Sequence, residues 1–291
     1  MRYIEKYLEY LKVVKKDSIH TITSYRNDLM ELYDFNNDLL CFSNSDVRDY
    51  LEYLYSRGLN RNSISRKICS IRGFYQYLQN EGLILSNCFK EVSSPKRVES
   101  LPKYVKNSDI EKMFLCFDKD TALGQRNSLI MEMLYATGVR VSELVNIRIS
   151  DINFYDRTIK ILGKGRKERI VLYGGYCEDA LELYINNGRN ELSGGKGSEY
   201  LFLNKNGGRL SDRYIRKIVD DVVRKCCFDY DVSPHTLRHT FATDMLNNGA
   251  DLMTVKELLG HSSINTTGIY THVSNEQLKK VYNFAHPRSK E

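Results

Sequence analysis

The chain has 291 residues, of which 27% are charged and 42% hydrophobic, and its formal net charge is +6. This length exceeds the usual size of one domain, so it predicts two domains that each bury a core. Mild basicity permits an acidic polymer as a partner without demanding one. The seven cysteines form no Cys-x-x-Cys pair, so we predict small core residues of a protein in a reducing cytosol, and not a zinc site. No apolar run approaches membrane length, and the charged N-terminus is not a signal peptide.

Four amphipathic helices are predicted in the N-terminal part of the chain. Apolar residues recur there at helical spacing over residues 3–14, 21–33, 46–55 and 63–78. Four such helices make a small all-α domain, which we assign to residues 1–85.

The fourth predicted helix is also basic, and no acidic residue occurs between residues 53 and 80. A helix with a basic and an apolar face fits a phosphate backbone or a major groove, but an ordinary solvated face has the same composition. Nearby serine hydroxyls favour DNA slightly. The candidate DNA-binding residues of this helix are Arg61, Arg66, Lys67 and Arg72.

A linker is predicted at residues 86–105. Helical periodicity disappears there, and Pro95 and Pro102 fall among serine, lysine and glutamate. This composition favours an exposed connector. The second domain then covers residues 106–291.

The second domain is predicted to open with a helix capped near residues 107–109 and to continue with an apolar helix over residues 126–136. Gly138 is a stop signal, so Arg140 falls in a break between two helices, where a side chain can be aimed at a ligand. Taken alone, the position favours a structural role for Arg140.

A β-hairpin is predicted from two strands, residues 158–162 and 168–173, joined by a turn that contains two glycines. Its tip presents Lys164, Arg166 and Lys167. This basic tip would contact a phosphate or a groove, although a solvated basic turn is a common alternative. The turn leads to a strand and is too short for a GxGK phosphate loop.

Further helices are predicted over residues 180–185 and 211–225, and then a helix that begins at Pro234 with Ser233 as its cap. His235 and Arg238 lie three residues apart on this helix, on the same side and near its positive end. This arrangement suits a phosphate oxyanion.

A helix over residues 252–259 ends at Gly260, which places His261 on the following turn, and Tyr270 comes nine residues later. Together with the preceding helix start, these groups predict a site for a phosphodiester. The alternative is that they are ordinary surface or core groups, since Tyr270 is one of 21 tyrosines. A last helix over residues 275–282 and a polar tail complete the chain.

Five blocks of the sequence carry a resemblance to a known family. The chain resembles the tyrosine recombinases, and among them the bacterial Xer-type site-specific recombinases. The order Arg, Lys, His-x-x-Arg, His, Tyr is kept, and the likeness covers nearly the full length. The matching blocks are YATGVRVSEL (135–144), LGKGRKERIV (162–171), PHTLRHTFAT (234–243), LLGHSSINTTGIYTHV (258–273) and HPR (286–288).

The resemblance implies a fold and a set of catalytic roles. It implies a mainly α protein, with a SAM-like four-helix core-binding domain and an α+β catalytic domain that contains a small β-sheet. Arg140 and Arg238 would hold the non-bridging oxygens of the scissile phosphate, and His261 would donate a hydrogen bond to it. The remaining roles are the nucleophile Tyr270, the general acid Lys164, and His235 as general base or proton relay.

Chemistry of this kind needs neither a metal nor a cofactor, because a covalent 3′-phosphotyrosine keeps the free energy of the broken bond. Fixed guanidinium groups offset the charge that builds on the phosphate, and losing one such donor typically costs about 10²- to 10³-fold in rate. The expected function is site-specific recombination that resolves chromosome dimers at a dif-like site.

Three alternatives remain at this stage: an integrase or resolvase of a phage or mobile element, a relaxing topoisomerase, and a non-catalytic DNA-binding protein. The expected partner is double-stranded DNA, bound by a homo- or hetero-tetramer in which the C-terminal helix and tail are exchanged cyclically between subunits. A DNA translocase of the FtsK type is a further possible partner. The expected location is the cytoplasm, at the nucleoid.

Overall fold

The computed structural model describes residues 1–93, 104–163, 168–260 and 275–289. By its internal contacts the chain divides into two compact units, Met1–Ser100 and Leu101–Glu291. The described residues are mainly helical and include one small sheet, so the predicted fold class is confirmed.

The described residues of the first unit, 1–93, form four helices whose apolar faces share one core. Side chains of Ser18, Ser43 and Asn60 cap the starts of the last three helices, accepting hydrogen bonds from the first turn. Tyr50 and Phe74 are among the fully buried members of the core. The helices are α1 (Arg2–Val13), α2 (Ile19–Phe35), α3 (Asn44–Ser56) and α4 (Arg61–Asn80).

The ends of the predicted linker pack into the two units. Phe89 is fully buried in the core of the first unit, and Val105 is fully buried in the core of the second. Residues 94–103, which include both prolines of the prediction, lie outside the described residues.

The second unit is built around one apolar helix, α6, which is buried on nearly all sides. It begins at Ala122, four residues before the predicted start, because the Thr121 side chain caps its first turn at Gly124. Before the sheet lie α5 (Asn107–Phe114), α6 (Ala122–Thr137) and the short α7 (Val141–Leu144). The start of α5 differs from the prediction: its N-cap is Lys106, which makes no side-chain capping bond.

The sheet of the second unit has three antiparallel strands in the order β1–β2–β3. Two of them are the predicted hairpin, β2 (Thr158–Leu162) and β3 (Glu168–Leu172), in a register that pairs Ile161 with Arg169. The prediction missed β1 (Ile152–Asn153), because a two-residue strand shows no alternation.

Helices α8 (Gly175–Leu183), α9 (Arg189–Ser193) and α10 (Asp212–Lys225) follow the sheet, with a π-helical turn, Tyr184–Gly188, between the first two. Next comes α11 (Pro234–Asn247), where the predicted cap is confirmed because the Ser233 hydroxyl accepts from the Thr236 amide. Helix α12 (Leu252–Leu259) has the predicted bounds and ends at Gly260, whose φ is 65°.

The last helix, α13 (Asn275–Ala285), packs on its own chain beside α11 and α12. Tyr282 is 1% exposed, and its hydroxyl donates to the backbone oxygen of Ala136 over 3.0 Å. The predicted polar tail is not a free tail, because His286 and Arg288 are both buried.

The prediction that the cysteines are small core residues is mostly wrong in the described ranges. Cys177 is buried, whereas the other six cysteines are partly or fully exposed. Among the helices of the same ranges, none is both long and apolar enough to cross a lipid bilayer.

Candidate active site

Arg238 joins three helices of the second unit. The residue is 5% exposed, and its guanidinium donates hydrogen bonds to the backbone oxygens of Gly138 and Leu259, the latter over 2.6 Å. Gly138 follows the end of α6, Leu259 ends α12, and Arg238 itself lies on the second turn of α11. Arg238 therefore connects α11 to the ends of α6 and α12.

Gly138 fits this crowded junction because it is a glycine. Its φ is 60°, and a side-chain Cβ there would lie 2.7 Å from Phe241 and 2.8 Å from Leu259. Any larger residue would have to displace two buried side chains. The turn thus ends α6 and lets the chain pass directly to Arg140.

Arg140 is the N-cap residue of α7, and Glu143 fixes it there. Glu143 Oε2 accepts from the Arg140 backbone amide over 2.8 Å, and Glu143 Oε1 accepts from Arg140 Nη1 over 2.9 Å. The Glu143 side chain is 5% exposed, whereas the Arg140 side chain is 43% exposed. Arg140 is therefore held at its backbone amide and at Nη1, while much of its side chain faces solvent.

Arg169 on β3 binds the same carboxylate from the other side. Its Nη1 and Nη2 donate to Glu143 Oε1 and Oε2 over 2.9 Å and 2.8 Å, a bidentate arrangement. Its Nε donates to the backbone oxygen of Leu258 over 3.2 Å. Arg169 therefore connects the β-sheet, the carboxylate that holds Arg140, and the last turn of α12.

Two guanidinium groups thus bond to the Glu143 carboxylate, and the third, that of Arg238, interacts with it through charge. Burial, together with the charges of Arg140 and Arg169, lowers the pKa of Arg238 to about 10, so it stays protonated at neutral pH. Burial raises the pKa of Glu143, but hydrogen bonds from Arg169 and from the Arg140 backbone outweigh it and lower that pKa overall. The cluster carries a net positive charge, which suits a doubly charged phosphate in the course of reaction.

His235 lies in the first turn of α11 and is exposed to solvent. Its place near the helix N-terminus matches the prediction. The remaining predicted catalytic residues, Lys164, His261 and Tyr270, lie outside the described residues, as do Arg166 and Lys167 at the hairpin tip. The described chain ends on either side of them, at Gly163 and Glu168 in the hairpin and at Gly260 after α12.

The structure gives two of the predicted DNA-binding residues a structural role. Lys67 is 8% exposed, and its ammonium lies 3.1 Å from Asp28 and 2.8 Å from Glu31. Arg72 donates to the backbone oxygens of Phe89 and Val92. Both cations have partners within the first unit, and their contact with DNA stays a prediction.

The other two candidates on α4 differ from each other. Arg66 is 46% exposed at its side chain but donates to both oxygens of Asp28, which is itself 1% exposed. Arg61 is exposed at the first residue of the helix. Of the four, Arg61 is the residue whose charge is best placed for an external phosphate.

Glu143 and Arg169 are site residues that were not predicted from the sequence. Glu143 has a local signal, because it stands three residues after an N-cap position, where an acidic side chain bonds back to the cap amide. Arg169 has none, since a basic residue in a hairpin strand predicts a solvated side chain. In the parts of the chain that the structure describes, no cluster of three or more His, Cys, Asp or Glu residues could hold a metal ion.

Comparison with known proteins identifies the class. The profile of the phage integrase family matches residues 103–277, and the profile of the phage integrase N-terminal SAM-like domain matches residues 4–82. The chain is a tyrosine recombinase, an enzyme that breaks and rejoins DNA strands. It belongs to the phage integrase family.

Two relatives show how far the likeness extends. Tyrosine recombinase XerC of Oceanobacillus iheyensis is 44% identical over 99% of this chain and 96% of its own length. Tyrosine recombinase XerC of Staphylococcus aureus is 43% identical over 98% of this chain and 97% of its own. The Xer-type resemblance seen in the motifs is therefore confirmed over both units.

Solved structures share the fold. The XerH recombinase bound to a palindromic difH substrate, in a post-cleavage complex, superposes with a TM-score of 0.72 at 22% identity, covering 98% of this chain and 81% of that one. A lambda integrase dimer bound to a core site gives 0.70 at 16% identity, covering 94% and 98%. At these identities the likeness establishes the architecture.

Proposed function

We propose that this site-specific recombinase cuts DNA with Tyr270, forming a covalent 3′-phosphotyrosine, and that it resolves chromosome dimers at a dif-like site. The observation that carries the proposal is the convergence of Arg140 and Arg238 on the break after α6, with the end of α12 bonded to Arg238. The chain that leaves α12 continues directly to His261 and Tyr270.

In the proposed reaction the Tyr270 oxygen attacks the phosphorus, and the bond from phosphorus to the 5′ oxygen breaks. His235 takes the proton of the tyrosine, and Lys164 gives a proton to the leaving oxygen. Arg140, Arg238 and His261 stabilise the charge on the non-bridging oxygens. The step reverses when a 5′ hydroxyl of the partner duplex attacks the phosphotyrosine, so the bond energy is conserved without a nucleotide.

Exchange between two duplexes breaks four strands, and each chain brings one Tyr270. We therefore propose a homo- or hetero-tetramer on DNA. In it, α13 and the tail of each subunit pass cyclically to a neighbouring subunit and pack there on the surface that they cover here in their own chain. A DNA translocase of the FtsK type would deliver the sites, and the protein would act at the nucleoid in the cytoplasm. The support is the near full-length likeness to XerC proteins.

Covalent trapping tests the nucleophile. The purified protein is incubated with a nicked suicide duplex that carries a candidate dif-like site, and the products are separated under denaturing conditions. Wild type and Tyr155→Phe should form a protein–DNA adduct, since Tyr155 is 97% exposed and lies in the β1–β2 turn. Tyr270→Phe should form none. An adduct with Tyr270→Phe would refute the assignment.

The outcome on a supercoiled plasmid with two directly repeated sites tests the biological role. A dif-acting recombinase gives two smaller circles, whereas a relaxing topoisomerase changes only the supercoiling. Binding without any covalent product would identify an accessory protein. Inertness on every dif-like site of the host chromosome, combined with activity on the ends of a mobile element, would favour an integrase instead.

A further inference from the structure

We propose that Arg169 is a positioning residue that sets the orientation of Arg140 at the scissile phosphate, acting through Glu143. This inference rests on the proposed function. Arg169 does not touch substrate in the proposed reaction. It fixes the carboxylate that in turn fixes Arg140.

Glu143 accepts hydrogen bonds from two arginines, Arg140 and Arg169. Each of its two oxygens accepts one bond from Arg140 and one from Arg169, at 2.8 to 2.9 Å. A carboxylate held on one side only can rotate about its terminal torsion, which is broad and soft. The bidentate fork of Arg169 removes that freedom, and both bonds to Arg140 depend on the same plane.

Arg169 is itself held in place by contacts with the end of α12. Its Nε bonds to Leu258, and its side chain passes directly over Gly260, where a Cβ would lie 2.7 Å from Arg169 Cδ. Gly260 is therefore required both by its positive φ and by this contact. Arg169 is 12% exposed at its side chain, so burial holds it in one conformation.

Arg169 also belongs to a cluster of positive charges that one carboxylate offsets. Arg140, Arg169 and Arg238 lie around one buried carboxylate, and Arg169 contributes to lowering the pKa of Arg238. Packing three like charges together is unfavourable unless a fixed counter-charge separates them. Lysine at position 169 would keep the charge but could not reproduce these bonds, because its three donors share one nitrogen whereas Arg169 uses Nε, Nη1 and Nη2.

The test compares Arg169→Lys with wild type for the rate of adduct formation on the suicide duplex. Misplacing a reacting group by about 1 Å can cost roughly 10²-fold, so we expect a loss of that order. The matched control is Arg189→Lys: Arg189 also bridges backbone carbonyls in the second unit, those of Ser198 and Tyr200, but lies outside the candidate site. It should cleave at nearly the wild-type rate.

A second substrate separates positioning from general damage. A scissile methylphosphonate replaces one charged non-bridging oxygen by a methyl group and so reduces the need for Arg140. If Arg169 acts through Arg140, the ratio of wild-type to Arg169→Lys rates shrinks on this substrate. An unchanged ratio on both substrates, or a loss no greater than that of Arg189→Lys, would overturn the inference.

Folding is checked by thermal unfolding of each variant. Should Arg169→Lys lose its cooperative transition, Arg169→Gln replaces it, because Glu143 then keeps its hydrogen bonds from Arg140. The ratio of wild-type to variant cleavage rates is then expected to shrink on the methylphosphonate substrate, and an unchanged ratio would overturn the inference. Absence of any adduct with wild type would instead refute the proposed function, so the two failures are distinguishable.

Discussion

Arg288 and Glu132 form a buried, bidentate ion pair that fastens the end of the chain to the central helix of the second unit. Arg288 Nε lies 2.9 Å from Glu132 Oε2, and Arg288 Nη2 lies 2.5 Å from Glu132 Oε1. The guanidinium also stacks between Phe114 and Tyr176, at 4.0 and 4.1 Å from their ring centres. His286 and Arg288, which follow α13, are therefore part of the packed domain.

Arg288→Met should destabilise the protein by about 3–5 kcal/mol, because it leaves a buried carboxylate without its partner. The exposed pair of Arg224 and Asp221 supplies the control, and Arg224→Met should cost about 0–1 kcal/mol. Urea unfolding measures both. A loss for Arg288→Met as small as that of the control would show that the tail is not held by this pair.

The paired variant Glu132→Leu with Arg288→Met should recover most of the lost stability. Burial raises the pKa of Glu132, and the hydrogen bonds and charge of Arg288 only partly offset that rise. The ionised pair is thus a poor source of net stability, as buried pairs often are. The loss in Arg288→Met alone should shrink as the pH falls, since protonation of Glu132 removes the unpaired charge.

Arg238→Lys should make the rate of DNA cleavage more sensitive to rising pH than in wild type. Arg238 itself keeps its charge because its lowered pKa, about 10, is still well above neutral. A lysine begins from about 10.4, and the same burial and the same neighbouring charges would lower its pKa further. Cleavage by Arg238→Lys should therefore fall as the pH rises through the pKa of that lysine, at a lower pH than in wild type or Arg189→Lys. A pH profile of Arg238→Lys that coincides with that of wild type would contradict the buried, crowded environment described for this position.

Most of the fold could be predicted because its signals are local. The start of α11 follows from Ser233 and Pro234, and the end of α12 follows from Gly260, since caps and stop residues act within one turn. The burial of Arg288 could not be predicted in this way. Its partner Glu132 lies 156 residues earlier, and a charged C-terminal segment has the composition of a solvated tail.

The candidate site divides in the same manner. Arg140 and Arg238 are identified by motif, but the contact between Arg169 and Glu143 depends on how β3 meets α7. On the basic face of α4, Lys67 pairs with Asp28, 39 residues away on another helix, and the local sequence does not predict this pairing. A run without acidic residues shows that local partners are missing, and it does not show that tertiary partners are missing.

Arg61→Gln and Lys67→Gln should affect DNA binding differently. Arg61 is exposed, so its loss should weaken binding to any sequence and reduce the salt slope by about one. Lys67 is buried against Asp28, so its loss should lower the unfolding temperature and leave the salt slope unchanged. Fluorescence anisotropy at several salt concentrations measures the slope. The opposite pattern would mean that Lys67 leaves its carboxylates to bind phosphate.

Lys164→Met should slow cleavage of an ordinary phosphodiester by about 10²- to 10⁴-fold, the usual worth of a general acid. A duplex with sulfur in place of the leaving 5′ oxygen should restore the rate, because a thiolate leaves without protonation. Lys160→Met is the matched control: Lys160 lies on β2 of the same hairpin, half exposed and paired with Glu168 over 2.8 Å. It should cleave both substrates at nearly the wild-type rate. A Lys164→Met defect that persists on the sulfur substrate would assign this lysine to phosphate binding and leave the general acid to another residue.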